Sequence, residues 1–184
     1  LRQRLGFDEE VLDLARLDEE NLLLPPSIAL FSDPRLNRDM YFWLAALLAA
    51  MTPTTVFHDP LRQDISSLRQ VYAASLLALD QFPGLRRRYS TLQRQMLAIR
   101  PARSLPPAEA AIEAVIRKML GAAQPLPEDA TAYYEAVMDS AISLRPFRAP
   151  PNYRPPLPVP LWANLNLLGT TDGQDIEDDD SAVP

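Results

Sequence analysis

Asp59-Pro60-Leu61-Arg62-Gln63-Asp64-Ile65-Ser66-Ser67-Leu68-Arg69-Gln70-Val71-Tyr72-Ala73-Ala74-Ser75-Leu76-Leu77-Ala78-Leu79 is the stretch whose reading decides the fold. Leu61, Ile65, Leu68, Tyr72, Leu76 and Leu79 recur at steps of 4, 3, 4, 4 and 3, one face of an α-helix. Asp59 can cap the free N–H groups of the first turn, and Pro60 sits where its missing donor costs nothing. The pair Asp33-Pro34 repeats this start upstream and leads into an apolar run from Met40 to Met51, 12 residues long. Apolar residues cover nearly the whole circumference there, which predicts a helix buried on all sides. The run spans only about 18 Å, short of the ~30 Å hydrocarbon core, so no membrane insertion is expected.

Working outward, the same punctuation recurs. Pro83-Gly84 opens a helix with Leu85, Tyr89, Leu92, Met96 and Ile99 on one face. Pro106-Pro107 opens another, with Ile112, Val115, Ile116, Met119 and Leu120, closed by Gly121. Pro127-Glu128-Asp129 opens a last one carrying Tyr134, Val137, Met138, Ala141 and Ile142. A short helix is expected from Asp8 to Arg16, ended by the extended stretch Leu22-Leu23-Leu24-Pro25-Pro26. The fold class is therefore all-α, a bundle of about six helices over residues 1–145 with no strand of note. Seven prolines from Pro146 to Pro160 make residues 146–168 a polyproline-like segment, packed on the bundle or leaving it. Phe147, Tyr153, Leu157, Leu161 and Trp162 are its candidate anchors.

The chain has 184 residues and a net charge of −6. That charge lies in residues 169–184, where Asp172, Asp175, Glu177, Asp178, Asp179 and Asp180 stand without a base. This acidic stretch lacks apolar residues to bury and is expected to be disordered. The remainder carries 18 acids against 18 bases, which argues against a nucleic-acid partner. With no Cys, thiolate chemistry, disulfides and Cys-based zinc sites are excluded.

Little in the sequence promises catalysis, a cofactor or a metal. There is no G-x-x-x-x-G-K-[ST] cradle, so nucleotide hydrolysis is not expected. His58 is the only His and reads as a loop residue beside a helix start. The acidic stretch lacks the order of a calcium loop. Asp64-Ile65-Ser66-Ser67 approaches a D-x-S-x-S metal loop but fails at Leu68, and the segment reads as helix. Glu109 and Glu113 are one turn apart, with Arg117 four residues beyond Glu113; the expectation is an ordinary solvated ion-pair face.

One charge feature stands out. Between Asp80 and Glu109 there is no acid, and the gap holds Arg86, Arg87, Arg88, Arg94, Arg100 and Arg103. A solvated face is the bland reading. The functional reading is a docking site for an acidic protein partner. The six acids near the C-terminus also match the six arginines in number, which predicts either a loose, salt-sensitive cover for them or a plain linker.

Several stretches together resemble the N-terminal helical region of the NorD/CbbO family. They are Leu24-Pro25-Pro26-Ser27-Ile28-Ala29-Leu30-Phe31, Asp33-Pro34-Arg35-Leu36-Asn37-Arg38-Asp39 and Tyr41-Phe42-Trp43-Leu44-Ala45-Ala46. Phe82-Pro83-Gly84-Leu85 with Tyr89, Leu105-Pro106-Pro107-Ala108-Glu109, and Leu161-Trp162 complete the pattern. The resemblance implies a cytoplasmic, non-catalytic partner of a MoxR-class AAA+ ATPase, coupling it to a client enzyme. Nitric oxide reductase and Rubisco are the clients it implies. A von Willebrand factor A domain is expected beyond the acidic stretch. A stand-alone helical scaffold is one rival, and an enzyme with a pocket assembled from scattered residues is another.

Overall fold

The computed structural model describes residues 16–17, 22–52 and 55–162. They form an α-helical bundle: α1 (Pro34–Ala49), α2 (Pro60–Gln81), α3 (Arg86–Ile99), α4 (Pro107–Met119) and α5 (Glu128–Met138). A 3-10 turn, Pro83–Leu85, joins α2 to α3. Two short strands, β1 (Arg16–Leu17) and β2 (Leu22–Leu23), pair antiparallel in the register Arg16 to Leu23 and Leu17 to Leu22. The expected Asp8–Arg16 helix therefore does not include Arg16; residues 8–15 lie outside the described residues, as do residues 163–184 with the acidic stretch.

The helix starts follow the sequence punctuation. Asp33 accepts the Arg35 N–H at 2.8 Å, and Asp59 accepts those of Leu61 and Arg62 at 3.1 and 3.0 Å. Pro at the first helical position follows each cap. At the end of α4, Gly121 adopts φ +91°, the left-handed region that a Cβ disfavours. There the Ala122 N–H reaches the Arg117 carbonyl and the Gly121 N–H that of Lys118, both at 2.9 Å, the paired bonds of a Schellman end.

The helix α1 packs on α2 and α3, while α5 packs on α2 and α4. Trp43 and Leu47 are fully buried at the centre, with Ile65, Leu92, Ile112 and Val115 around them. The Trp43 ring stacks on Tyr89 with centroids 3.8 Å apart. Two expectations need correction. The helix α1 is not buried on all sides, because Phe42 is 51% exposed. In α2 the stripe holds through Leu68 and then drifts: Val71, Ala74, Ser75 and Ala78 are buried, while Leu76 is 52% exposed. The alternative path through Ala74, Ser75 and Ala78 is equally helical. Its small side chains let a neighbour approach closely, so packing overrides the greater apolarity of leucine.

The helix α5 ends at Met138, so Ala141 and Ile142 lie beyond it rather than on its apolar stripe. Arg69 takes over there. Its Nε donates to the Ala136 carbonyl at 2.7 Å, and its Nη1 and Nη2 donate to those of Ser140 and Ile142 at 3.3 and 2.9 Å. Carbonyls left over at a helix end need such partners.

The proline-rich residues form a strap that returns across the bundle. A polyproline-like chain makes no hydrogen bonds of its own, so its polar groups need partners from elsewhere. The helices supply them in order along the strap. Arg62 Nε donates to the Phe147 carbonyl at 2.7 Å, and the Asp59 carboxylate accepts the Ala149 N–H at 3.0 Å. Asp64 accepts the Tyr153 hydroxyl at 2.7 Å, and Glu109 accepts the Arg154 N–H at 3.2 Å. Arg100 Nη2 donates to the Leu157 carbonyl at 3.0 Å, and Trp43 Nε1 to that of Leu161 at 2.9 Å. Val159, Leu161 and Trp162 are buried in the same core as the helices. Through Trp162, then, the segment is packed against the bundle and supplies part of its interior.

Candidate functional site

The candidate site is the surface built by α3 and the corner before it. Tyr89, Leu92 and Met96 face inward at steps of 3 and 4, which sets the rotation of the helix. The same rotation leaves Arg86, Arg87, Arg88 and Arg94 exposed. Arg88 lies over the Phe42 ring, 5.4 Å from its centroid, and pairs with Asp39 at 3.4 Å. Cation–π contacts at such exposed positions are weak, about 0.5–1 kcal/mol, so they orient more than they stabilise. Arg94 reaches only the Thr91 hydroxyl, at 3.4 Å. Arg103 is exposed in the loop after α3.

Arg100 is set apart from the other five arginines. It is buried, and its Nε and Nη2 grip Glu113 at 2.8 and 2.7 Å in a bidentate pair. Its remaining contacts hold the strap carbonyls of Leu157 and Pro158. Docking a partner would require Arg100 to leave that network. The structure brings Arg86, Arg87, Arg88 and Arg94 together on one helix, places Arg103 beyond its end, and assigns Arg100 to the interior.

Sequence reading missed which large apolar side chains stay exposed, on this surface and on α2. Phe42, Leu76, Leu77 and Phe82 are 51%, 52%, 42% and 46% exposed. Phe42 lies under Arg88, and Phe82 caps α2 at the corner that turns into α3. The available signal was the adjacency of Leu76 and Leu77: neighbours on a helix are about 100° apart, so one narrow face cannot bury both.

The Glu109 and Glu113 face also needs correction, since it is not a solvated ion-pair surface. Glu113 is held by Arg100 and by Arg117 Nε at 2.9 Å, a triad that ties α4 to the end of α3. Glu109 is buried beneath the strap, where its Oε1 takes the Arg154 N–H and its Oε2 meets no donor among the described residues. Near it, burial pushes the Asp64 carboxyl up to about 6, only partly opposed by the Tyr153 hydroxyl. Burial likewise pushes the Tyr153 phenol far up, reinforced by the charges of Asp64 and Glu109. These groups fasten the strap. His58 is exposed in the loop before α2, as expected of a residue beside a helix start.

Fold and surface together define a strap-closed helical module whose exposed corner combines arginines with large apolar side chains. Proteins named NorD are among those it is similar to. The chain is 40% identical over 167 residues to Protein NorD of Brucella abortus (strain 2308), covering 90% of this chain and 25% of that protein. It is 37% identical over 110 residues to Protein NorD of Stutzerimonas stutzeri, covering 59% of this chain and 16% of that protein. An uncharacterized protein of Pseudomonas aeruginosa is 32% identical over 161 residues, covering 87% of this chain and 21% of that protein. The resemblance to the NorD/CbbO family read from the residues thus holds, on the NorD side, over the region that the chain spans. That region is about a quarter of the length of the Brucella relatives. No family model and no solved structure matches the chain.

The family pattern falls on residues that close the fold. Asn37 receives the Phe31 N–H and donates to the Phe31 carbonyl, both at 2.8 Å, and the Tyr41 hydroxyl donates to the Pro25 carbonyl at 3.1 Å. Trp43, Tyr89, Glu109 and Leu161 hold the strap and core contacts given above. These quoted residues therefore carry architecture, and no helix among the described residues is long and apolar enough to cross a membrane.

Proposed function

We propose that this chain is a non-catalytic, cytoplasmic adaptor region that couples a MoxR-class AAA+ ATPase to a client enzyme. The client is nitric oxide reductase by analogy with the NorD relatives, with Rubisco the counterpart on the CbbO side. The observation that supports this reading best is the α2–α3 corner, where the exposed rings of Phe42 and Phe82 accompany an acid-free run of arginines. Aromatic and Arg side chains are the enriched anchors of protein interfaces. Among the described residues, about half of each ring is left uncovered. The partner's surface should be acidic around an apolar centre. A von Willebrand factor A domain elsewhere in the longer protein would then hold the client.

The test is gel filtration and ATPase assay of this chain with the cognate MoxR protein, in each nucleotide state. Co-migration or a changed hydrolysis rate is expected. Changing Arg86, Arg87 and Arg88 together to Gln, or Phe42 to Ser, should weaken the complex about tenfold or more, as removal of interface anchors does. No complex in any nucleotide state, or equal affinity of the variants, would count against this surface and this partner.

A further inference from the structure

Away from the α3 corner, a cleft of about 350 Å³ lies between α2, the loop before it and the chain that follows α5. Three guanidinium-bearing residues line it, Arg62, Arg69 and Arg145, together with the hydroxyl residues Ser66, Ser140 and Ser143. Among the described residues no carboxylate lines it. Two acids stand near its edge, and both are already engaged with backbone amides. Asp59 accepts the N–H groups of Leu61, Arg62 and Ala149, and Asp139 accepts that of Ala141 at 2.8 Å.

The two inner arginines are therefore held by carbonyls rather than by carboxylates. Arg62 grips those of Phe147 and Arg145 through Nε and Nη2. Arg69 grips the three carbonyls beyond α5. Burial lowers the pKa of Arg69, opposed by the charge of Asp139. Carbonyls fix the orientation of a guanidinium but do not neutralise its charge. The forks of Arg62 and Arg69 are fixed by carbonyls, with Arg145 and three hydroxyls beside them, and this makes a preorganised oxyanion site. Phe57, Ile142 and Leu144 form an apolar wall on the same cleft.

We propose that this cleft binds the phosphate group of a small organic phosphate, its oxygens on Arg62, Arg69 and Arg145 and its carbon body against Phe57 and Ile142. The site is distinct from the α3 corner and stands or falls independently of the adaptor reading.

The experiment is a titration of the protein with inorganic phosphate, and separately with phenyl phosphate, at ionic strength held constant with chloride. NMR of the arginine Nε–H groups reports which side chains respond. Saturable shifts at Arg62 and Arg69 are expected with a dissociation constant of about a millimolar or better for phenyl phosphate, and several-fold weaker for inorganic phosphate. Arg145→Gln should weaken both ligands several-fold while leaving the Arg62 and Arg69 clamps in place. Ala141→Glu, at an exposed position of the lining, supplies an internal carboxylate and should abolish binding without unfolding the protein. Shifts that never saturate, or that fall on Arg86 to Arg88 instead, would overturn the site. Equal affinity for the two phosphates would overturn the role of the apolar wall. Unchanged binding in a folded Ala141→Glu variant would show that the ligand sits elsewhere.

Discussion

Arg87 and Arg100 lie near opposite ends of α3 and share one chemistry, yet the structure uses them in opposite ways. Arg100 is buried against Glu113 and two strap carbonyls, whereas Arg87 stands exposed on the first turn. The difference is what each one faces. The strap's own turns satisfy the Pro150 and Val159 carbonyls, and the arginines beneath it fasten those of Phe147, Leu157 and Pro158. At the α2–α3 corner no described part of the strap passes; Arg88 pairs there with Asp39, while Arg86 and Arg87 stand exposed. Charge density along the sequence therefore says little about role; proximity to unpaired carbonyls decides it.

The sharpest way to break this comparison is at the core that the strap completes. Trp43→Ala should cost about 3–5 kcal/mol, since it removes a fully buried ring and leaves the Leu161 carbonyl without its donor. Urea melts measure it, and a loss under about 1 kcal/mol would mean that the strap adds little to the core. Arg100→Gln comes next. It leaves Glu113 with Arg117 alone and removes the donor to Leu157, so a loss of about 3 kcal/mol is expected, as for breaking a buried ion pair.

Asp64 tests the strap by pH. Its carboxyl is pushed from 3.8 up to about 6 by burial, so the folded state holds the proton more tightly than the unfolded chain does. The resulting stability is fully present below about pH 4 and is lost as the pH rises through 6. Asp64→Asn keeps an oxygen for the Tyr153 hydroxyl but removes the penalised charge. It should raise stability at pH 7 by about 1–3 kcal/mol and flatten the fall between pH 4 and 6. Thermal melts of both proteins across that range give the difference; an Asn variant less stable than the parent at pH 7 would refute the assignment. The smallest effect belongs to the other arginine set. Arg87→Gln should stay within about 0.5 kcal/mol in the same melts, because its side chain is exposed on the first turn of α3.

The sequence read well where a local signal suffices. Asp33 and Asp59 cap their helices, each followed by Pro at the first helical position, and Gly121 ends α4 in the left-handed region. It read poorly where two faces compete. Leu76 looked like core because leucine is apolar, but Ala74, Ser75 and Ala78 offered α2 a closer approach and won the inward side. Phe42 sat within an apolar run, and only the course of neighbouring helices shows that it faces out. Glu109 and Glu113 looked solvated for the matching reason: a one-turn spacing looks the same whether water or a strap lies above it.

What the sequence by itself determined is the helical class, the boundaries written by its prolines, and the family pattern, which rests on residues such as Asn37, Trp43 and Tyr89. Each of these depends on contacts within a few residues or on a recognisable set of side chains. What only the tertiary structure decided is which charges and apolar groups remain available. Arg100 is taken inward, Asp64 and Glu109 hold the strap, and Phe42, Leu76, Leu77 and Phe82 stay at the surface. The physical reason is that burial depends on partners brought from far along the chain, as when Leu161 returns to the Trp43 indole to close the core.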